Sequence, residues 1–224
     1  WVMLALASAY LLWRIAGNGR VALKGLSLGK KVWVGALAVL VVSASVYPVL
    51  GTQDRLRDRF NNRALPLTLD GMKYMREGVY GDEHGEIELR ADYEGIRWLQ
   101  DNVAGSPVIL EGVTPIYRWG GRISVYTGLP SVVGWQWHQE QQRWGYRWAI
   151  AERAADVKKI YSTGDVEEAL SLMRRYGVEY VYLGRLEGLY YPSAGLEKFD
   201  NELKDHMDVV YENEHVRVYR VRQG

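Results

Sequence analysis

Residues 32–53, VWVGALAVLVVSASVYPVLGTQ, run for 22 positions without a charge. Crossing the hydrocarbon core of a bilayer takes roughly 20 mostly apolar residues, because each helical residue advances only ~1.5 Å. This run meets that length. Trp33 and Tyr47 stand near its two ends, where interfacial aromatics belong, and Pro48 sits close enough to the exit to cost little. A buried core helix fits less well, since Gly29-Lys30-Lys31 precedes the run and a charge cluster from Asp54 to Arg63 follows it. A signal peptide fits less well again, because the stretch is too long and already preceded by apolar sequence. The expectation is a membrane span over residues 32–50. Trp1 to Trp13 is apolar but too short to cross alone, and reads as the last part of a preceding span that Arg14 ends. With Trp1 rather than Met in first place, the chain is expected to be the C-terminal piece of a longer one.

Charge divides the chain in two. Residues 1–53 hold no Asp or Glu and five cations, Arg14, Arg20, Lys24, Lys30 and Lys31. The remaining residues hold 23 of the 28 Lys and Arg and all 27 acids, so a +5 part precedes a −4 part. Orientation is nearly tied, with a slight edge from Arg14 that puts the loop 17–31 in the cytoplasm and the large C-terminal domain outside. Four Lys or Arg lie in the loop 17–31, and Arg55, Arg57, Arg59 and Arg63 lie beyond the span. The overall charge of +1 provides no basic field for nucleic acid. No cysteine is present, which excludes disulfides, thiolate metal ligands and thiol catalysis. The expected organisation is a membrane region over 1–53, with a cytoplasmic loop 17–31. A juxtamembrane helix and linker follow over 54–90, then an extracytoplasmic α/β domain over 91–224.

The juxtamembrane stretch DRLRDRFNNRA spaces Leu56 and Phe60 four apart, as in a helix at the membrane surface. Pro66 and Gly71 break that pattern, and the glycine-rich Gly78–Gly85 reads as a loop. Asp92 reads as the N-cap of a helix to about Val103, with Tyr93, Ile96, Leu99 and Val103 at helical spacing. Val108–Leu110 and Arg122–Thr127 read as strands. Residues 149–161 read as a helix, and Asp165 as the cap of another that Gly177 stops. Val178–Leu183 is the clearest strand and 196–203 a short helix. Val209–Tyr211 and Val216–Val221 read as a hairpin turning at Asn213-Glu214. Strands alternating with helices predict a Rossmann-like layered α/β domain with a mostly parallel sheet and an antiparallel edge hairpin, preceded by transmembrane helix segments.

The segment from Trp119 to Trp148 fits no regular period after Ser131 and holds five of the nine Trp. Its run Trp135-Gln136-Trp137-His138-Gln139-Glu140-Gln141-Gln142-Arg143 combines flat aromatic faces with amide, carboxylate and guanidinium groups. Sugar sites use those parts: rings pack on C–H faces while forked polar groups bond hydroxyls or phosphate. Arg122, Trp135, Trp137, His138, Gln139, Gln142 and Arg143 are the candidate binding residues. The same segment reads equally as an irregular plug with Trp in a core. His138 with Glu140 suits acid–base work or a structural hydrogen bond. Arg185 and Glu187 follow the best strand and form a secondary candidate, since ligands in open α/β sheets bind beyond carboxyl ends of strands. His84, His206 and His215 show no metal spacing, and no phosphate-binding glycine motif occurs. The pairs Asp82/Glu83 and Glu167/Glu168 read as solvated surface.

Several strings carry a resemblance: LDGMKYM from Leu69 to Met75, Ile96-Arg97-Trp98-Leu99, and GGRISVYTGLPSVVGWQWHQEQQR from Gly120 to Arg143. To these add Asp156-Val157 with Ile160-Tyr161, and Tyr176-Gly177-Val178 with Tyr180-Val181-Tyr182-Leu183-Gly184. Together they resemble the C-terminal region of the YYY family, large multispanning membrane proteins of bacteria and archaea, over most of the chain from the second span onward. That family in turn looks like the GT-C class of integral-membrane glycosyltransferases.

The resemblance implies a polyprenyl-phosphate-linked sugar donor and a soluble domain outside the membrane after the last span of a multi-pass protein. It also implies a catalytic carboxylate in the first external loop, outside this stretch, so no residue here carries over as catalytic and no cofactor is indicated. The implied partners are the lipid bilayer, a lipid-linked sugar or glycan, and the preceding transmembrane part of the same chain. The alternative is a membrane-anchored, non-catalytic binding or structural module.

Overall fold

The computed structural model describes residues 1–16, 25–59 and 68–222. Arg20, Lys24, Phe60, Arg63, Ala64 and Pro66, which entered the expectations for the basic loop and the juxtamembrane stretch, lie outside them. Two compact units divide the chain, residues 1–63 and 64–224.

In the first unit, α1 covers Val2–Ala16 and α2 covers Leu28–Val46. A π-helical turn, Tyr47–Gly51, continues α2 into α3, Thr52–Arg59. Pro48 explains the turn: with no N–H to give, it interrupts the i→i−4 ladder, and the chain widens locally without ending the helix. Leu28–Arg57 is therefore one helix of 30 residues, long and apolar enough to cross a membrane. Its apolar window is exposed along its length.

The second unit opens with a 3₁₀ turn at Lys73–Arg76 and a hairpin, β1 (Val79–Asp82) against β2 (Gly85–Glu88). The expected loop over Gly78–Gly85 is thus largely strand. Its turn is tied by Asp82 Oδ1 accepting from the His84 amide at 2.8 Å, and Gly85 takes φ +141°.

The remaining elements follow in order. They are α4 (Leu89–Asn102), β3 (Val108–Leu110), α5 (Arg122–Thr127), α6 (Gln136–Gln142), a 3₁₀ turn at Trp144–Tyr146, α7 (Arg147–Ser162), α8 (Val166–Arg175) and β4 (Val178–Leu183). After β4 come α9 (Arg185–Tyr190), α10 (Ser193–Leu196), two 3₁₀ turns at Glu197–Phe199 and Glu202–Asp205, β5 (Met207–Glu212) and β6 (Arg217–Val221). The expected 196–203 helix is resolved into α10 and those two turns. Asp165 caps α8, its Oδ1 accepting from Glu168 N at 3.0 Å, and Gly177 at φ +60° ends the helix region.

The main sheet has the order β3-β4-β6-β5. Only β3 and β4 are parallel; β4–β6 and β5–β6 are antiparallel. The sheet is mixed, not mostly parallel. The cause is the final hairpin, which folds β6 back between β4 and β5 instead of returning through a crossover helix.

Side-chain alternation supplies two buried faces. Val181 and Tyr219 join α7 and α8 through Val157, Ile160, Leu170 and Met173. Tyr180, Tyr182 and Val218 join α4 and α5 through Ile96, Leu99 and Ile123. Helices therefore cover both sides of a mixed four-stranded sheet. The Tyr161 hydroxyl lies 3.2 Å from Leu110 O and 2.9 Å from Tyr182 O, tying α7 to the carboxyl ends of the parallel pair.

Two further expectations are corrected. RISVYT is the helix α5, not a strand. Glu111, just past β3, accepts from the amides of Ile123 and Ser124 at 2.8 and 3.2 Å, and from Ser124 Oγ at 2.7 Å. Those bonds satisfy the helix's first free N–H groups, which local β propensity does not outweigh. Asp92 is not an N-cap, because α4 begins a turn earlier and turns Asp92 inward.

Candidate functional site

Asp92 opens onto a buried ionic cluster. Its Oδ2 accepts from Arg122 Nε and from the Trp119 indole, both at 2.7 Å, and its Oδ1 from the Tyr182 hydroxyl at 2.8 Å. The other side of the Arg122 guanidinium meets Glu187, Nη2 to Oε2 at 2.9 Å and Nη1 to Oε1 at 3.2 Å. Glu187 also accepts from the amides of Gly112 and Gly184 at 3.0 and 2.8 Å.

Burial alone would pull the Arg122 guanidinium down. The charges of Asp92 and Glu187 overcome that and hold it well above the ordinary range. Burial pushes the neighbouring Glu111 carboxyl up against the opposing Ser124 hydroxyl and Arg122 charge. Arg122 and Glu187, expected as binding residues, thus lie in the core, where they lock α4, α5 and α9 together. Arg185, the first residue of α9, is exposed instead.

The Trp135–Arg143 segment is brought to the surface by the strand end. Leu129–Ser131 runs beside β3, with Ile109 N donating to Pro130 O at 2.9 Å. Gly134 at φ +65° then turns the chain into α6. Trp135 anchors the entry: its indole N–H donates to the carbonyls of Gly120 and Arg118, and its ring meets Tyr117 edge-on at 5.6 Å. Tyr117 itself holds a positive φ of +53°, a strained setting for a bulky residue. Its hydroxyl lies 3.4 Å from His138 Nδ1.

From that anchor, α6 presents different residues to two depressions. Gln136, Trp137 and Glu140 line one of about 210 Å³ with Thr114, Pro115 and Ile116. Gln136 Nε2 donates to Glu140 Oε1 at 2.9 Å, which fixes the polar edge, while the Trp137 ring stays 44% exposed. Thr114, Pro115 and Gln136 also belong to an adjoining depression of about 420 Å³, which reaches His84, Lys158 and Tyr190. There the His84 ring lies 4.3 Å from that of Tyr190, whose hydroxyl donates to Asp82 at 2.7 Å.

Gln139 and Arg143 instead line a groove of about 530 Å³ with Ser131, Tyr146 and Arg153. Arg153 is braced by Val132 O at 3.2 Å and by the Tyr176 ring. The groove therefore offers two guanidinium groups, an amide and a phenol around apolar Leu129 and Val132, a donor-rich setting for phosphate or hydroxyl oxygens.

The structure thus groups Trp137 with Gln136 and Glu140, and Gln139 with Arg143. Trp135 and His138 lie at the anchor, and Gln142 is exposed. Sequence reasoning missed Arg153, Lys158 and Tyr146. Arg153 and Lys158 sit on the exposed side of α7, where charges read as an ordinary solvated face. No spacing signal links either to α6.

No protein-family model matches the chain, and no curated protein matches it. Among solved structures, it is similar to the C-terminal globular domain of an oligosaccharyltransferase from Archaeoglobus fulgidus. That likeness covers 58% of this chain and 95% of the other, at 14% identity and a TM-score of 0.38.

Proposed function

We propose that the second unit is an extracytoplasmic domain of a multi-pass, GT-C-like membrane glycosyltransferase, and that α6 binds the acceptor or the headgroup of a polyprenyl-phosphate-linked sugar. The Rossmann-like aspect of the fold and the YYY-family resemblance belong to this proposal. The observation that carries it is the pairing on one short helix of an exposed aromatic ring, Trp137 beside Gln136 and Glu140, with a guanidinium-lined groove at Gln139 and Arg143. Stacking on a sugar face and hydrogen bonding to phosphate are different tasks, and the flanks of α6 suit one each. No residue of this chain is assigned a catalytic step; its part is to bind and orient. A helix able to span a membrane supports the use of a lipid-borne donor.

The test uses the full chain in lipid nanodiscs, titrated with polyprenyl-phosphate monosaccharides and free glycans, with Trp fluorescence as readout. One ligand class should give a saturable change. Trp137→Ala and Arg143→Ala should each weaken binding about tenfold or more, the loss of roughly 1.4 kcal/mol, while the melting temperature holds. Undiminished binding in both variants, or no response to any ligand, removes the reading.

The structural-plug alternative is favoured at one position. Trp135 spends its N–H on backbone carbonyls, so its ring belongs to the fold, unlike that of Trp137.

A further inference from the structure

Across the end of α6, a 3₁₀ turn at Trp144–Tyr146 and the first residues of α7, the chain does something different. Residues 141–148, QQRWGYRW, are exposed one after another. Trp144 is 75% and Trp148 69% exposed. Single exposed apolar residues are ordinary on any protein. Two indoles within five residues, on a junction between helices in a well-packed unit, call for a partner. The Arg147 guanidinium lies over the Trp144 ring, 4.2 Å from its centroid, so its charge is held at the indole face. Between Glu140 and Glu152 there is no acid.

We propose that Trp144, Arg147 and Trp148 form a docking surface for an anionic bilayer, the two indoles entering at headgroup level and Arg147 meeting lipid phosphates. The residue types support this occupant. Indoles, apolar with one polar N–H, concentrate at membrane–water interfaces. A cation in a stretch of sequence without acids complements an anionic leaflet. Connectivity also supports it: the same chain carries a helix long and apolar enough to span a membrane, which would keep a bilayer close at hand. The proposal is independent of sugar binding, because neither indole nor Arg147 lines the groove or the depressions at α6.

The native chain has no cysteine, which makes single-site labelling clean. Trp144→Cys, Trp148→Cys and, as an exposed control, Lys204→Cys each receive an environment-sensitive fluorophore in the full chain. The labelled chains are reconstituted in phosphatidylglycerol/phosphatidylcholine vesicles with or without brominated lipid. Labels at 144 and 148 should blue-shift and be quenched by brominated lipid at least twofold more than the label at 204. Arg147→Glu in the Trp148→Cys background, or phosphatidylcholine alone, should reduce that quenching.

Equal quenching at all three sites overturns the proposal. So does a blue shift at 144 and 148 that grows with protein concentration and ignores brominated lipid, since that outcome marks a protein partner. A second measurement needs no substitution. Amide exchange over 141–150 in the unmodified chain should slow in phosphatidylglycerol nanodiscs relative to phosphatidylcholine ones, and equal exchange in both also overturns the assignment.

Discussion

At the scale of single residues, Arg122 shows how a side chain suited to binding phosphate becomes part of a core. Its guanidinium is shared between Asp92 and Glu187, and all three side chains are essentially inaccessible. Each carboxylate has further donors, so the cluster is satisfied as it stands, but it depends on the central cation. Arg122→Met should leave two buried carboxylates facing each other without a counter-charge. Breaking a buried pair from one side costs about 3–5 kcal/mol. Urea unfolding of the full chain in detergent should show that loss in the Tyr and Trp signal; a change below ~1 kcal/mol would mean the cluster is hydrated and of little weight.

Lys198 provides the pH counterpart. It is buried, donates to Gly195 O, and burial lowers its pKa to about 8, with Glu202 opposing. The unfolded chain holds that proton up to the ordinary lysine range, near 10.5. Between pH 8 and about 10.5 the unfolded state therefore binds more protons, and this group's contribution to stability rises with pH through that window. Comparing melting curves of the parent and Lys198→Met from pH 7 to 10 isolates the contribution. The parent should gain stability relative to Lys198→Met as pH rises, and a constant difference would show that Lys198 titrates alike in both states.

At the scale of elements, legibility followed the reach of the forces involved. α2, α7, α8 and β4 were readable because their signals are local: an uncharged run, a helix-favouring composition, a capping aspartate with a stopping glycine, and a β-branched and aromatic run. α5 was not. Its strand-like alternation is overridden by Glu111, whose carboxylate arrives from 12 residues away to take the helix's free amides. Asp92 was misassigned for the same reason, since its partners Arg122 and Tyr182 lie 30 and 90 residues off. The sheet's mixed character was hidden in the final hairpin: two strands were recognised, but pairing order is not a local property. The α6 segment was legible as a chemical composition and not as a geometry. Nothing in WQWHQEQQR says that Trp135 is spent on two backbone carbonyls while Trp137 is free, or that Arg143 meets Arg153 at one groove.

At the scale of the whole molecule, the distribution of buried apolar side chains supplies the last expectation. Among the described residues, the buried hydrophobic side chains lie between Met75 and Tyr219. Both core clusters are built from the second unit alone, on the two faces of one sheet. Apolar burial is what stabilises tertiary structure, and the second unit holds two such clusters of its own. A fragment starting at Thr68 should therefore fold without detergent and melt within about 4 °C of the same transition in the full chain. That interval corresponds to ~1 kcal/mol for a domain of this size. Near-UV circular dichroism, which follows the packed Tyr161, Tyr182 and Tyr219, is the proper readout, since far-UV signal from the first unit's helices would mask the transition. A fragment that lacks the near-UV signal would mean that the second unit's packing depends on the chain before it, and the ionic cluster at Arg122 would then have to be judged in the intact protein.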